Sequence, residues 1–428
     1  MIEVLHITAH LGGGVGKALS GLARATGADA GVRRTIVALE APEKPQFAEL
    51  VRDSGCRLVI SPTPGELYRL VEDADVVQLE WWNHPATLEA LCREPLPPMR
   101  LLVWSHVSGL GNPVLPAALV QAAHRFLFTS ACSFEAPAIK ALLAEVGARL
   151  GVVSSCGGFE GIPLPEEGSA ELSAGYLGSL NFAKLHPRYV DFLAAVDLPG
   201  FRVRVIGDLT NREQLERECR VAGREGMLAF RGYCPDIASE LKSINVLAYL
   251  LNPEHYGTAE NALLEAMAAG VVPVVLDNPA ERLIVEDGRT GLVVSSPADF
   301  AAAMRRLAER PEERRRLGTQ AAQAVRSRFG VENMVEAWNG HYRAVLTEEK
   351  RGIPFAAIFG AGPADWFLSC QKDPTLFSGS GPVLADPEAY SSHSLFEETK
   401  GTVFHFLKHF PANRRLRLWA DRLRGQRP

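Results

Sequence analysis

The sequence has little of what marks secreted, membrane-spanning or nucleic-acid-binding chains. Of its 428 residues only 7 are cysteines. They are scattered, odd in number and form no Cys-x-x-Cys pair. That argues against a disulfide framework or a cysteine zinc site and fits a reducing compartment. No apolar run approaches the roughly 18–20 residues that span a bilayer. The longest, Ile244 to Leu251, is strand length and contains Asn245. No export signal is expected: Met1-Ile-Glu-Val-Leu-His-Ile carries an acid where such a signal is basic, and Gly12-Gly-Gly follows too soon. The expected location is the cytoplasm. Positive charge is not in excess, since 45 Lys+Arg face 50 Asp+Glu for a net charge of −5. This argues against nucleic acid as a partner. Short-period repeats are absent. What is present, 47% hydrophobic and 22% charged residues, suits a folded chain and excludes general disorder. The length predicts two domains.

Short apolar runs alternate with helical patterns. Val4-Leu-His-Ile-Thr reads as a buried strand, Gly12-Gly-Gly-Val-Gly as a turn, and Lys17 onward as a helix with apolar residues at 18, 19, 22 and 23. Further strands are expected at Arg34–Leu39, Arg57–Ile60, Val76–Leu79, Leu101–Trp104 and Phe126–Thr129, with a helix over Gln46–Ser54. The alternation predicts an α/β fold whose parallel sheets are covered on both faces. Ile162-Pro-Leu-Pro-Glu-Glu-Gly-Ser reads as a linker. Strands then resume at Ala174–Gly178, Arg202–Asp208, Leu228–Gly232, Ile244–Leu251 and Val272–Leu276, with helices over 212–223, 298–329 and 331–346. The expected domains are 1–165, 166–349 and an irregular extension, 350–428. A helix is expected over Ser394–Phe410. The last 28 residues hold seven Lys or Arg against Asp421 alone. They read as a charged final helix packed on the body, or as a basic amphipathic helix touching anionic lipid through Leu416, Trp419 and Leu423.

The most informative stretch is Asn252-Pro-Glu-His-Tyr-Gly-Thr-Ala-Glu-Asn-Ala-Leu-Leu-Glu-Ala-Met-Ala-Ala-Gly-Val-Val-Pro. Thr258 is a good N-cap for a helix over Ala259–Ala269, and Gly270 stands where the helix should end. The helix start would lie at the carboxyl edge of a parallel sheet, the usual ligand edge, with free backbone amides suited to phosphate. Glu265, in the second turn, offers two acceptor oxygens suited to paired ribose hydroxyls.

This stretch resembles the signature of glycosyltransferase family 4, the retaining nucleotide-sugar transferases of the GT-B fold. Glu265-Ala-Met-Ala-Ala-Gly-Val-Val-Pro-Val matches its second half, with one extra residue before the proline. Glu286-Asp-Gly-Arg-Thr-Gly-Leu-Val-Val, Gly178-Ser-Leu-Asn-Phe-Ala-Lys184 and Gly13-Gly-Val-Gly-Lys-Ala-Leu-Ser-Gly follow the family's order, and the likeness covers roughly residues 2–345. It implies two doubly wound parallel-sheet domains facing across a cleft. The second would bind a nucleoside diphosphate sugar, and the first a saccharide or glycoconjugate acceptor. It implies no cofactor and no obligatory metal, and no Asp-x-Asp element is positioned to hold one. Lys184 and the amides at Thr258, Ala259, Glu260 and Asn261 would meet the diphosphate, Glu265 the ribose, Gly13 and Gly14 the donor phosphate or the acceptor, and His106 the transferred sugar. Catalysis would fall to His106, Glu265 and Lys184. Two positions depart from the pattern. Gly257 stands where the family has its first signature Glu, leaving Glu254, His255 and Glu260 as substitutes. Ser179 stands where it has a diphosphate-binding Arg, which throws more of the charge onto Lys184.

Rival readings remain open at this point. A nucleotide-sugar epimerase or hydrolase would share the fold, and a catalytically silent sugar-nucleotide-binding module would keep the donor contacts. A phosphate-binding P-loop at Gly12–Ala18 is opposed by Ala18, where a magnesium-binding hydroxyl is needed, and by Leu11, where the motif wants Gly. Trp81 and Trp82 follow a strand and suit either an acceptor ring or the core.

Overall fold

The computed structural model describes residues 1–25, 31–165, 170–379 and 381–426. Part of the expected linker, 166–169, and Arg427 lie outside the described residues. The chain divides into two compact units. Unit 1 takes in Met1–Gly158, Tyr256–Ala259 and Val331–Pro428, and unit 2 takes in Phe159–His255 and Glu260–Gly330.

Unit 1 is built on seven strands: β1 (Ile2–Thr8), β2 (Val32–Ala38), β3 (Arg57–Ile60), β4 (Val76–Trp81), β5 (Leu101–Ser105), β6 (Arg125–Phe128) and β7 (Leu150–Val152). They pair in parallel in the order β3-β2-β1-β4-β5-β6-β7. Unit 2 repeats the plan with β8 (Ala174–Leu177), β9 (Val203–Ile206), β10 (Leu228–Gly232), β11 (Val246–Tyr249), β12 (Val272–Leu276) and β13 (Leu292–Val294). Their order is β10-β9-β8-β11-β12-β13, again all parallel. Both are doubly wound sheets. In each, the strand order reverses at one place, between β1 and β4 and between β8 and β11. At such a reversal the crossovers leave to opposite sides of the sheet, and ligands gather in the crevice between the loops. β4, β5, β8, β11 and β12 are buried at every position, as central parallel strands covered on both faces must be.

Residues 331–349, grouped with the second domain in the sequence reading, belong by contact to unit 1. The helix Val331–Val345 lays Trp338 edge-on against Trp104, ring centroids 5.1 Å apart. On the same helix Asn339 accepts a hydrogen bond from Arg34, at 3.0 Å.

The extension 350–428 carries a series of helices between irregular segments. It forms short helices at Phe355–Phe359, Pro363–Leu368, Tyr390–Phe396 and Val403–His409, then a longer one at Arg414–Arg424. The single helix expected over Ser394–Phe410 is thus two, broken by a turn in which Gly401 has φ +82. The extension completes the core of unit 1. Phe359 stacks on Trp81 with centroids 5.2 Å apart, and Phe367 meets Phe377, Phe406 and Trp419. Each large apolar side chain so buried is worth about 1.5–3 kcal/mol. Leu416, Trp419 and Leu423 point into this core and are at most 2% exposed. Of the two readings of this helix, the packed one holds for these three side chains and the lipid-facing one does not: their apolar faces are spent on Phe367, Phe377 and their neighbours. Arg414, Arg415, Arg417, Arg422 and Arg424 line the exposed side.

No helix among the described residues is long and apolar enough to cross a membrane.

Candidate functional site

In unit 2 the loops after β8 and β11 lie side by side because their strands are neighbours. Backbone bonds zip them together: Asn252 N–H donates to the Lys184 carbonyl at 2.8 Å, and His186 N–H to the Leu250 carbonyl at 3.1 Å. The Asn252 amide adds a bond to the Phe182 carbonyl at 2.9 Å. Lys184 is thereby held over the loop leading to the helix Asn261–Ala268. Its Nζ lies 3.0 Å from Glu260 Oε2. The Tyr249 hydroxyl donates to the same carboxylate. His255 sits between two acids, with Nδ1 3.8 Å from Glu260 Oε1 and Nε2 3.2 Å from Glu281 Oε1.

The electrostatics follow from this crowding. Burial alone would raise the Glu260 pKa, but Lys184, then His255 and the Tyr249 hydroxyl, hold it below the usual carboxylate value. Burial would likewise lower His255, yet Glu281 and Glu260 reverse that and raise it. The crowding thus favours a protonated His255 beside an ionised Glu260. Two buried acceptors keep no hydrogen bond, Glu260 Oε1 and Asn181 Oδ1. The Asn181 amide donates to Ser179 Oγ at 2.6 Å, so Ser179, Asn181 and Lys184 share one loop wall. Gly178 and Gly207 pack backbone to backbone beneath it. A Cβ on Gly207 would fall 1.8 Å from the Gly178 carbonyl oxygen, and its φ is +151.

The helix begins later than its sequence suggests. It runs Asn261–Ala268, with Glu260 in front of it at φ 42, ψ 56 and no side-chain cap. Thr258 does not cap it, because its hydroxyl accepts from Thr129 at 2.5 Å. Tyr256 is held likewise, accepting at its carbonyl from Ser108 N–H at 2.9 Å. Gly257, Thr258 and Ala259 accordingly group with unit 1, while His255, Glu260, Asn261 and Glu265 belong to unit 2. The helix end is as expected. Gly270 has φ +81, its N–H bonds the Met267 carbonyl, and Val271 N–H bonds the Ala266 carbonyl. Glu265 is half-buried in the second turn.

Unit 1 carries a second cluster at the corresponding sheet edge. Gly13, at φ +57, and Gly14 are exposed at the start of the helix Gly13–Ala25, just after β1. His106 follows β5, and its Nε2 meets Glu80 Oε2 at 2.8 Å. Trp82 follows β4 and is ringed edge-on by His10, His84 and His106, with ring centroids 5.6, 6.0 and 6.1 Å away. Trp81 is fully buried and belongs to the core.

Glu80 and Tyr249 were not singled out from sequence, whereas Ala280-Glu281 follows the family's pattern downstream of Glu265. A signal existed for Glu80. Gln78 and Glu80 alternate inside the apolar run Val76–Trp81, which puts both on one face of a buried strand. His6 interrupts β1 in the same way. Among the described residues no group of three or more His, Cys, Asp or Glu could hold a metal ion.

Residues 168–324 match the family model described as Glycosyl transferases group 1. The chain is 27% identical over 184 residues to the putative glycosyltransferase EpsD of Bacillus subtilis (strain 168), covering 41% of this chain and 47% of that protein. It is 25% identical over 147 residues to the lipopolysaccharide core biosynthesis glycosyltransferase LpsE of Rhizobium meliloti (strain 1021), covering 34% of this chain and 42% of that protein. The chain therefore spans under half the length of these relatives. Among solved structures it resembles Anabaena HepE in complex with UDP, with a TM-score of 0.63 and 14% identity over 80% of this chain and 100% of that one. Two sheets of seven and six parallel strands, together with that likeness, give the chain the GT-B fold.

Proposed function

We propose that the chain is a retaining glycosyltransferase of family 4 that moves a sugar from a nucleoside diphosphate sugar to a saccharide or glycoconjugate acceptor, in the assembly of a surface polysaccharide. The observation that carries this reading is the convergence of Lys184, Glu260 and the first turn of the helix Asn261–Ala268 at the β8/β11 reversal. It lies inside the stretch that matches the glycosyltransferase model.

In this reading the diphosphate lies against Lys184 and the first amides of that helix. The bond from the anomeric carbon to the phosphate oxygen breaks, and charge gathers on the leaving oxygen, where a cation and oriented N–H groups stabilise it. Glu260 orients Lys184. Asn181 Oδ1 and Glu260 Oε1, which keep no hydrogen bond, accept from donor hydroxyls. Glu265 holds the ribose. The acceptor oxygen bonds the anomeric carbon on the face the phosphate leaves, and its proton passes to the departing phosphate. That step calls for no separate base and no metal. His106 contacts the transferred sugar. The exposed basic side of the helix Arg414–Arg424 faces anionic lipid at the inner surface of the membrane, the enzyme being cytoplasmic.

The test is a thermal-shift panel of nucleoside diphosphates and their sugars, since a bound donor stabilises only the folded state. UDP and UDP-glucose head the panel, because HepE structures hold them. Stabilisation by one base, followed by turnover with a saccharide acceptor and retained anomeric configuration, supports the reading. No stabilisation by any nucleoside diphosphate overturns it. Binding without turnover under any acceptor leaves a silent binding module, a reading that Ser179 in place of the expected Arg favours.

A further inference from the structure

Glu80 is a carboxylate with no exposed surface, near the end of a strand buried throughout. A charge in that position is costly unless every oxygen is met. Oε1 is met by His6 Nδ1 at 3.2 Å and by the Gln78 amide at 2.8 Å. Oε2 is met by His106 Nε2 at 2.8 Å. Gln78 is itself turned by the Tyr342 hydroxyl, which donates to Gln78 Oε1 at 2.5 Å, so its NH2 faces Glu80.

These contacts decide the protons. Burial pushes the Glu80 pKa up, but the bonds from His106 and His6 outweigh it and hold the group below the usual value. An ionised carboxylate only accepts, so all three partners donate. His6 then carries its proton on Nδ1, and burial holds its pKa down and the ring neutral. His6 Nε2 is buried without a partner. His106 carries its proton on Nε2. Its Nδ1 takes no part in that bond. Of the two imidazoles only that of His106 reaches the surface, at 8% against 0% for His6. Trp104 and Trp82 flank it, with centroids at 4.7 and 6.1 Å.

We infer that Glu80 is a positioning residue: it holds His106 in the tautomer protonated at Nε2, so that Nδ1 accepts a hydrogen bond from a hydroxyl of the sugar substrate at the β4/β5 edge. The identity of the ligand rests on the proposed glycosyl transfer, whereas the tautomer does not. A purely architectural Glu80, tying β1, β4 and β5 together, predicts lost stability and nothing else.

The experiment uses the full chain with 15N-labelled histidine. Wild-type His106 should show an unprotonated Nδ1 and a protonated Nε2. Glu80→Gln keeps the volume but brings an amide donor to one side of the cluster. It should mix or invert the His106 tautomer. With a donor and acceptor identified by the thermal-shift panel and turnover assay, kcat should fall about tenfold or more while the donor KM stays within about twofold, because the Lys184 site is untouched. His106→Ala in the Glu80→Gln background should add little further loss, as expected for residues acting as one unit. A wild-type His106 protonated at Nδ1 overturns the proposal, even if Glu80→Gln fails to fold. So does an unchanged tautomer in Glu80→Gln, or losses that multiply in the double variant. If no nucleotide sugar is turned over, the tautomer still reports on Glu80, and the failure then belongs to the functional reading alone.

Discussion

The ammonium of Lys184 lies 3.0 Å from the carboxylate of Glu260, and Glu260 is the residue just before the helix Asn261–Ala268. A cation suited to phosphate and a set of free helix amides therefore meet at one buried anion. Lys184 is fixed from both ends, by its carbonyl through Asn252 and by its ammonium through Glu260. Each interaction makes a prediction.

Lys184→Ala should leave Glu260 with only Tyr249 and His255. Breaking a buried pair by removing one partner costs about 3–5 kcal/mol. Lys184 is 21% exposed, so about 2–3 kcal/mol is expected in urea unfolding. Adding Glu260→Gln should recover part of it. Affinity for both nucleoside diphosphate and its sugar should fall together in calorimetry, and loss of only the sugar contact would count against a phosphate role.

Gly207→Ala should be among the most damaging single changes in unit 2. The new methyl carbon would overlap the Gly178 carbonyl, and backbone cannot swing aside as a flexible side chain can. A loss of about 3 kcal/mol or more, or failure to fold, is expected. Gly200→Ala, at φ +67 with open space around it, serves as the control for strain without a clash.

His409 makes the seating of the extension depend on pH. Hydrogen bonds to Glu40 and Glu89 outweigh burial and raise its pKa. The folded form then binds the proton more tightly than the unfolded one. The resulting stability is complete below the ordinary histidine value of about 6.5 and is lost as pH rises through the raised value. Neighbouring His10 and His405 are pushed down to about 4 and His84 to about 2, by burial first, so they stay neutral across that window. Lys400, bonded to His10 Nε2 at 2.8 Å, stands beside them. Corrected for the intrinsic rise of amide exchange with pH, protection over residues 401–410 should fall as pH rises above about 6.5, and His409→Ala should flatten that dependence.

Deleting the extension cannot test lipid contact, because it strips Phe359, Phe367 and Trp419 from the core and should make the protein insoluble. Arg414→Glu with Arg417→Glu changes only the outer side of the last helix. Its melting temperature should stay within about 2 °C. Sedimentation with vesicles containing anionic lipid should drop sharply if that side meets the membrane.

Much of this architecture was legible in the sequence, for physical reasons. Central parallel strands are continuous apolar runs, so β12 falls where its sequence places it, and β4 and β5 begin at the expected Val76 and Leu101. β7 and β13 went unread because each has only three residues and forms the last strand of its sheet. The helix start was misplaced because the group that occupies Thr258 is Thr129, far away along the chain. Local capping rules cannot see such a partner. The role of Glu80 was hidden for the same reason, since its three donors come from β1, from its own strand and from just beyond β5. Lys184 and Glu260 could be named but not joined until β8 and β11 were known to be neighbours.

The interleaving of the two units has a consequence for how the protein is made. Trp104 is emitted from the ribosome long before Trp338 and the Phe359 that covers Trp81. The first half-finished sheet must therefore wait, with those faces bare, while the whole of Phe159–Gly330 is synthesised. Domains tend to fold as they emerge, but here the earliest to appear is the last to close. A fragment ending at Gly158 should accordingly need a chaperone, whereas fusing it to Val331–Pro428 through a short linker should give a soluble piece.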